Sequence, residues 1–348
     1  MKNIIDFIKK KINIISIFIL IMILPVIFNS PLSMRILIEI GIISMVVLGL
    51  NLLMGLAGQI SMGHAGIFGL SAYITGLLSS GRLNFTLPPL ISIIIAISIT
   101  TVLSYLIAFP ILKLKGHYLA MGTLAMGIIF YSIFANLSFA GGFDGFSNIP
   151  RLWLFGENFT KNFLGINKYL NGYIIVYFVL IILFWISNNI NNSKIGRSFK
   201  AIHTSEIAAS TLGINVTKYK IMVFTISSLF TAIAGILFAH FYCGVTPSDF
   251  SIVKSISFVT MVVIGGTSSI WGALIGTIFL VLINYSLEFI QDFLSKFNIH
   301  VNIIDFNILT YGLLFIIVLI FLPDGIIGLK NKIVQLWRKK IVKNREDK

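Results

Sequence analysis

Three polar side chains stand close together in a glycine-rich stretch of an otherwise apolar sequence. Gln59, Ser61 and His64 lie within GLAGQISMGHAGIFG, residues 55–69. Amide, hydroxyl and imidazole groups can hydrogen-bond a solute, and inside a lipid bilayer each of them needs a partner. The stretch therefore has two interpretations. It forms the wall of a passage for a solute, or its glycines let neighbouring helices pack closely.

A second interruption of apolar sequence occurs much later in the chain. Gly265 and Gly266 are followed by Thr267 and Ser268, and a further polar residue, Thr123, lies inside another apolar segment. Broken helices line solute paths in membrane transporters. The two interruptions are therefore predicted to form an inner gate around a mostly apolar path. The predicted path residues are Gly58, Gln59, Ser61, Gly63, His64, Thr123, Gly265, Gly266, Thr267 and Ser268.

His64 has two alternative roles, a neutral packing residue that hydrogen-bonds its neighbours or a proton relay. A relay needs acidic partners, and the apolar segments contain almost none. Glu39 follows Arg35 by one helical turn, so these two side chains are expected to form a local ion pair. The scarcity of acids argues against a proton-coupled secondary transporter, whereas sodium coupling through backbone carbonyls stays open.

The sequence indicates neither enzymatic nor metal chemistry. It contains no HExxH, no serine nucleophile motif with a catalytic partner and no paired aspartates, and its single cysteine is Cys243. It also lacks the GxxxxGK segment, followed by Ser or Thr, with which proteins bind nucleotide phosphates. We therefore predict no catalytic residue, no metal site and no cofactor in this chain.

The composition is that of a helical membrane protein. Of 348 residues, 57% are hydrophobic and 11% are charged, whereas globular proteins carry about 25% charged residues. Apolar runs of roughly 17 to 25 residues, the length that spans hydrocarbon, recur along the chain. We predict an all-α polytopic transmembrane helical bundle of about ten spans, at residues 12–28, 35–55, 59–80, 88–110, 117–136, 172–187, 219–243, 252–267, 270–290 and 306–322.

The basic residues predict the orientation of this bundle. With the N- and C-termini in the cytoplasm, most of the 26 Lys and Arg residues lie in inner loops and tails, as is typical of membrane proteins. The net charge of +14 therefore indicates topology and not a nucleic-acid partner. No small-residue cleavage site follows the first apolar run, so this run is predicted to be an uncleaved span. Residues 1–330 are the predicted membrane domain and residues 331–348 a basic cytoplasmic tail.

The cytoplasmic loop, residues 188–218, contains a predicted short helix. Ser205 suits its N-cap, Glu206 suits the positive helix end, and Gly213 suits a left-handed C-cap. Such a helix either lies among lipid headgroups or docks in a groove on a cytosolic partner. In the second case its alanines permit close approach and Glu206 offers a charged contact. The candidate docking residues are Ser205, Glu206, Ala208, Ala209 and Gly213.

The longest outer loop, residues 137–171, begins with the glycine-rich turn cluster AGGFDGFSNIP at residues 140–150. Aromatic residues follow the cluster, among them Trp153. Aromatic side chains favour the membrane interface. The loop is therefore predicted to be a lid that lies on the membrane surface, with a plain connector as the alternative.

The segments named above resemble one protein family. The pattern EIAASTLG, residues 206–213, resembles the coupling-helix motif of ABC importer permeases, and residues 195–220 are similar to the corresponding loop of branched-chain amino-acid ABC permeases of the LivM type. His117, where proline is expected, and Thr267–Ser268, where glycine is expected, are small departures. The other matching segments, in family order, are GLNLLMGLAGQISMGHAGIFGLSAY (49–73), GHYLAMGTLAMG (116–127), AGGFDGFSNIP (140–150), MVVIGGTSSIWGALIG (261–276) and YGLLFIIVLIFLPDGIIG (311–328).

The resemblance implies a permease subunit of an ATP-driven importer in the bacterial plasma (inner) membrane. Its expected partners are two ABC ATPase subunits, which bind ATP and Mg, a second, LivH-like permease, an extracytoplasmic substrate-binding protein and membrane lipid. The implied substrates are Leu, Ile and Val, and the alternative substrates are urea and short amides. The competing interpretation, an ion-coupled secondary transporter, differs in that it needs no ATPase partner.

Overall fold

The helices of the bundle account for most of the described chain. The computed structural model describes residues 25, 30–114, 116–153, 168–267, 269–295, 310, 312–313, 316–317, 320 and 325–328. The helices of the continuous ranges are α1 (Pro31–Asn51), α2 (His64–Ser79), α3 (Pro89–Ile111), α4 (His117–Asn136), α5 (Lys168–Asn192), α6 (Lys194–Thr204), α7 (Glu206–Thr211), α8 (Val216–Tyr242), α9 (Ile252–Gly265) and α10 (Ile270–Ser295).

The prediction of an all-α polytopic membrane protein is confirmed. Among the described residues, six helices are long and apolar enough to cross a bilayer. The predicted spans 12–28 and 306–322 lie wholly or largely outside the described residues, so the count of ten spans and the side of each terminus stay predictions. The six helices are Pro31–Leu56, Pro89–Ile111, His117–Asn136, Lys168–Asn192, Val216–Tyr242 and Ile270–Leu287.

Two predicted spans are shorter than expected. The span predicted at 59–80 begins as a helix only at His64, and α2 has 16 residues. The prediction of a helix at residues 59–63 is wrong, because Gly58 has a φ of +66°. This left-handed conformation ends the helical path of the backbone after α1. The span predicted at 252–267 is α9, with 14 residues. Neither helix alone reaches the ~20 residues that cross hydrocarbon.

Helices α1 and α8 form the centre of the bundle. Helix α1 packs against α5, α8 and α10, and α8 packs against α2 and α3 as well. In the most apolar 18-residue stretch of Pro31–Leu56, 83% of the residues are buried. Helix α1 therefore contacts protein on nearly all sides. Helix α3 lies at the periphery with large apolar side chains exposed, such as Leu90, Ile94 and Leu106. An exposed apolar face of this size suits lipid or a partner chain.

The end of the bundle that is predicted to face outward carries a small irregular layer. Two short 3₁₀ turns, Ser138–Ala140 and Gly142–Asp144, lead into strand β1 (Phe146–Ser147), which pairs antiparallel with β2 (Gly244–Val245) after α8. The glycine-rich cluster of the outer loop is therefore tied to the end of α8. The rest of that loop, residues 154–167, lies outside the described residues, so the lid stays a prediction.

Candidate translocation and coupling site

The two interruptions of the apolar sequence lie side by side in the structure. The Asn51 amide donates to the backbone carbonyl of Thr267 across 3.4 Å. A side chain at Gly55 would collide with the same carbonyl. The interruption after α1 therefore contacts the one after α9. Of the residues predicted there, Ser268 lies outside the described residues.

A five-residue π-helical turn connects α1 to the first interruption. It runs from Leu52 to Leu56, and its C-cap, Ala57, directly precedes Gly58. Turns of this kind inside α-helices are frequent at functional sites. The carbonyl of Gly55, which belongs to this turn, is available to a partner outside the helix.

His64 is buried and both of its ring nitrogens contact hydroxyl groups. Nδ1 lies 2.9 Å from Ser61 Oγ, and Nε2 lies 2.8 Å from Ser227 Oγ on α8. Neither contact involves a carboxylate, so this geometry favours the packing role over the proton relay. The ring fixes the first residue of α2 against the middle of the bundle.

Thr123 and Gly63 hold the non-helical segment, residues 58–63, against α4. The Thr123 hydroxyl accepts from the Met62 amide at 3.0 Å and donates to the Ala120 carbonyl. A side chain at Gly63 would collide with the Thr123 carbonyl. These contacts satisfy a backbone donor that would otherwise be buried without a partner. Both residues therefore act in packing in the structure.

Gly265 and Gly266 shape the second interruption. A side chain at Gly265 would collide with the Gly272 carbonyl at the start of α10, so this glycine allows α9 and α10 to approach closely. Gly266 caps α9, and its amide donates to the Val262 carbonyl at 3.0 Å. Thr267 contributes its carbonyl to the contact with Asn51.

Gln59 differs from the other predicted path residues. Its side chain is only 3% exposed, and neither its amide nitrogen nor its amide oxygen has a hydrogen-bond partner. Leaving such a buried polar group unsatisfied costs roughly 1–3 kcal/mol. The hydrogen-bonding groups of the Gln59 side chain are therefore not used in packing, unlike those of His64 and Thr123.

One cavity, the outer cavity, lies away from the predicted path. It measures about 780 Å³ and opens at the predicted outer ends of α1, α8 and α10. None of the predicted path residues lines it. The inner interruptions are packed against each other at the opposite end of these helices.

The predicted short helix of the cytoplasmic loop is α7. The Ser205 hydroxyl accepts from the Ala208 amide at 3.2 Å, as an N-cap does. The helix ends at Thr211, Leu212 is its C-cap, and Gly213 follows with a φ of +82°. Ile207 and Leu212 are each 79% exposed, the highest values among the large apolar residues that the structure describes.

Glu206 contacts the bundle and also reaches the surface. Its carboxylate pairs with the buried ammonium group of Lys220 on α8, while its side chain stays 40% exposed, so it anchors α7 and its contact with a partner stays a prediction. Ala209 is buried and Ala208 is exposed. The apolar part of the surface that α7 and its C-cap offer to a partner is therefore formed by Ile207, Ala208 and Leu212.

His203, at the end of α6, connects the cytoplasmic loop with the first interruption. Its Nδ1 lies 3.2 Å from the Gly55 carbonyl, and because that carbonyl only accepts, Nδ1 carries the proton. The ring packs on Gly58, where a Cβ would come within 2.5 Å of His203 Cδ2. A side chain at position 58 would therefore both strain the left-handed backbone and displace the imidazole.

Comparison with known proteins decides the family. Residues 32–322 match the family model described as the branched-chain amino acid transport system, permease component. The chain belongs to this family. The permease is 29% identical to LivM of Salmonella typhimurium over 308 residues, which cover 83% of this chain and 68% of that protein, and the same values hold for LivM of Escherichia coli K12. It is 32% identical to LivH of Escherichia coli K12 over 139 residues, 40% of this chain and 41% of LivH. No solved structure matches the permease.

Three residues of this site were missed in the sequence. Asn51 and Ser227 each interrupt an apolar helix, and that polarity was a usable signal. Nothing in the sequence distinguishes His203, because it lies in a polar loop where a histidine is not unusual. Its importance follows only from the contact with Gly55.

Proposed function

We propose that the permease is the membrane-spanning subunit of an ATP-driven importer for branched-chain amino acids. The observation that carries this proposal is the direct contact between the cytoplasmic loop and the broken helix at Gly55, next to two exposed apolar side chains on α7. A cytosolic partner that binds such a loop can displace it, and the loop transmits that displacement to the bundle. Leu, Ile and Val are the proposed substrates, because the LivM and LivH relatives are named for branched-chain amino acid transport.

The proposed complex contains two ABC ATPase subunits, a second, LivH-like permease and an extracytoplasmic binding protein that delivers the substrate. ATP and Mg bind to the ATPase chains, and this chain contributes no catalytic group. Its proposed location is the bacterial plasma (inner) membrane, with several passes. Residues Ser205, Glu206, Ala208, Ala209 and Gly213 form and anchor the helix that the ATPase contacts.

The mechanism follows from the order of contacts along the chain. When the ATPase subunits close, α7 is displaced, and the Glu206–Lys220 ion pair passes this displacement to α8. Helix α6 moves with it and changes the contact of His203 with Gly55. The π-helical turn that contains Gly55 also lies against Thr267. Both interruptions therefore respond to the same displacement of α6 and α7. The predicted path residues then separate, and the bundle passes from outward-open to inward-open.

The substrate class is tested by uptake competition. The complete complex, reconstituted in liposomes with its binding protein outside and ATP inside, takes up radiolabelled leucine. We expect an excess of Val or Ile to suppress this uptake and an excess of urea to leave it unchanged. Suppression by urea, without suppression by Val, would replace the branched-chain assignment with the alternative, a permease for urea or short amides.

Gln59 provides a test of the proposed path. We expect Gln59→Met, which keeps the length of the side chain, to reduce uptake about tenfold, because it removes a hydrogen-bonding group from the proposed path. Thermal stability should not fall, because the buried amide that is lost has no partner within the described protein. The matched control is Ser228→Ala, which removes another buried and unpartnered group outside the predicted path and should leave uptake unchanged. Initial uptake rates and melting temperatures of the complex are the measurements. Wild-type uptake by the Gln59→Met complex would remove Gln59 from the path.

A further inference from the structure

The outer cavity combines charged and apolar walls in a volume suited to a small solute. Its volume of about 780 Å³ lies within the roughly 300–1,000 Å³ of small-molecule sites. The described lining contains three basic residues and three acidic residues, so its formal charge is balanced. These residues are Arg35, Arg82, Lys254, Glu39, Asp144 and Asp249. A balanced lining favours a ligand without net charge over an anion or a cation.

Glu39 presents a half-satisfied carboxylate to this cavity. Its Oε2 accepts hydrogen bonds from the hydroxyls of Tyr242 at 3.0 Å and of Tyr285 at 2.7 Å. Among the described residues, no donor contacts the second oxygen, Oε1. Two phenols from α8 and α10 therefore hold the carboxylate in place and leave one oxygen for a ligand.

Arg35 presents its guanidinium to the same cavity. It lies over the ring of Tyr242, 5.2 Å from the ring centre, and it pairs with no carboxylate of the described residues. The expected ion pair between Arg35 and Glu39 is thus not formed. Tyr242 contacts both groups instead: its hydroxyl binds the Glu39 carboxylate and also interacts with the Arg35 guanidinium, which lies over its ring.

Two other charged groups of the lining, Arg82 and Asp249, have partners within the protein. Arg82 donates to the Phe139 carbonyl at 3.2 Å, and Asp249 accepts from the amide and hydroxyl of Thr246. An apolar surface adjoins the pair, because the ring of Phe238 packs 4.6 Å from that of Tyr242 and also lines the cavity. A separated cation and anion with an apolar surface beside them match an amino acid with an aliphatic side chain.

From this geometry we propose that the outer cavity binds an α-amino acid in its zwitterionic form. The ligand carboxylate accepts hydrogen bonds from the Arg35 guanidinium, which is suited to grip a carboxylate with two parallel bonds. The ligand ammonium donates to Glu39 Oε1, and its aliphatic side chain lies on Phe238. This inference rests on the proposed function and identifies where the substrate is first held by the permease. Urea has neither a carboxylate nor an ammonium group, so it cannot form these two contacts.

The test measures leucine binding to the complete complex in lipid nanodiscs, without the binding protein, by a scintillation proximity assay. We expect Glu39→Gln and Arg35→Gln each to weaken binding at least tenfold. The matched control is Arg151→Gln, an arginine of the outer face outside this cavity that contacts the Phe241 carbonyl, and it should bind leucine as the wild type does. Elution volume and melting temperature check that each complex is folded.

Two ligand analogues test the individual contacts. 4-Methylpentanoic acid lacks the ammonium group, and 3-methylbutylamine lacks the carboxylate. Both should compete weakly with leucine for the wild-type complex. In the Glu39→Gln complex the acid should bind about as well as leucine does, because the contact with the ammonium group is gone. An acid that competes as well as leucine for the wild type would overturn the proposal.

The outcomes separate this inference from the proposed function. If the complex with its binding protein transports leucine, yet binds none alone or binds it equally well after Glu39→Gln, the cavity proposal is wrong and the transport function stands. If Glu39→Gln weakens only the association of the binding protein, the cavity is a docking surface for that protein and the proposal is wrong. A complex that never takes up leucine contradicts the proposed function itself.

Discussion

The double variant Ile207→Ala/Leu212→Ala is expected to lose ATP-driven uptake while its membrane bundle stays folded. Both residues are 79% exposed, so their truncation removes little packing within the chain. Truncating an interface hot spot costs ~2 kcal/mol or more, and each 1.4 kcal/mol is tenfold in affinity. The double variant should therefore bind the ATPase subunits about a hundred-fold to a thousand-fold more weakly. Co-purification of the ATPase with the tagged permease measures this loss.

The control for this prediction lies on the same helix. Ser210 and Thr211 are exposed, and their hydroxyls bond only to carbonyls of the preceding turn. Ser210→Ala/Thr211→Ala should retain the ATPase and transport normally. If the Ile207→Ala/Leu212→Ala permease still co-purifies with its ATPase and transports at the wild-type rate, α7 is not the docking element.

His203→Ala is expected to uncouple ATP hydrolysis from uptake. The variant removes the hydrogen bond to the Gly55 carbonyl and the ring that packs on Gly58, but it leaves the surface of α7 unchanged. Loss of such a hydrogen bond costs about 1 kcal/mol, which shifts the balance between two states of the bundle roughly fivefold. Uptake per ATP hydrolysed should fall by about this factor, while the ATPase remains bound and active.

The rescue variant for this prediction is His203→Asn. The Asn side-chain amide places a nitrogen donor where Nδ1 of histidine stands, so the bond to the Gly55 carbonyl can form again. His203→Asn should recover a large part of the coupling, and His203→Leu should not. Equal ratios of uptake to hydrolysis for wild type, His203→Ala and His203→Asn would show that the contact between α6 and Gly55 carries no coupling.

Helix positions and helix ends could be predicted from the sequence, because they depend on local patterns of residues. The apolar runs placed six spans on observed helices, and Ser205 and Gly213 marked the ends of α7 within a residue or two, because caps are local signals. Gly58 and Gly266 likewise marked the places where helices break. These features need no knowledge of distant parts of the chain.

Contacts between distant segments were not predictable in this way. His203 and Gly55 are 148 positions apart, and no periodicity relates them. The pairing rule for residues one turn apart was wrong for Arg35 and Glu39, because both groups contact Tyr242 from α8. The ion pair between Glu206 and Lys220 on α8 was likewise not predictable from the local sequence. In each case a helix packed from elsewhere decided the side chain's role.

The central claim, that ATP hydrolysis by partner subunits drives solute through this permease, is tested most directly in liposomes that contain the complete complex. Leucine uptake and ATP hydrolysis are measured together, with the binding protein outside and without any ion gradient. We predict uptake that requires ATP and the binding protein and that stops when the ATPase subunits are omitted. Uptake by the permease alone, driven by a sodium or proton gradient and indifferent to ATP, would contradict the claim and assign the chain to the secondary transporters.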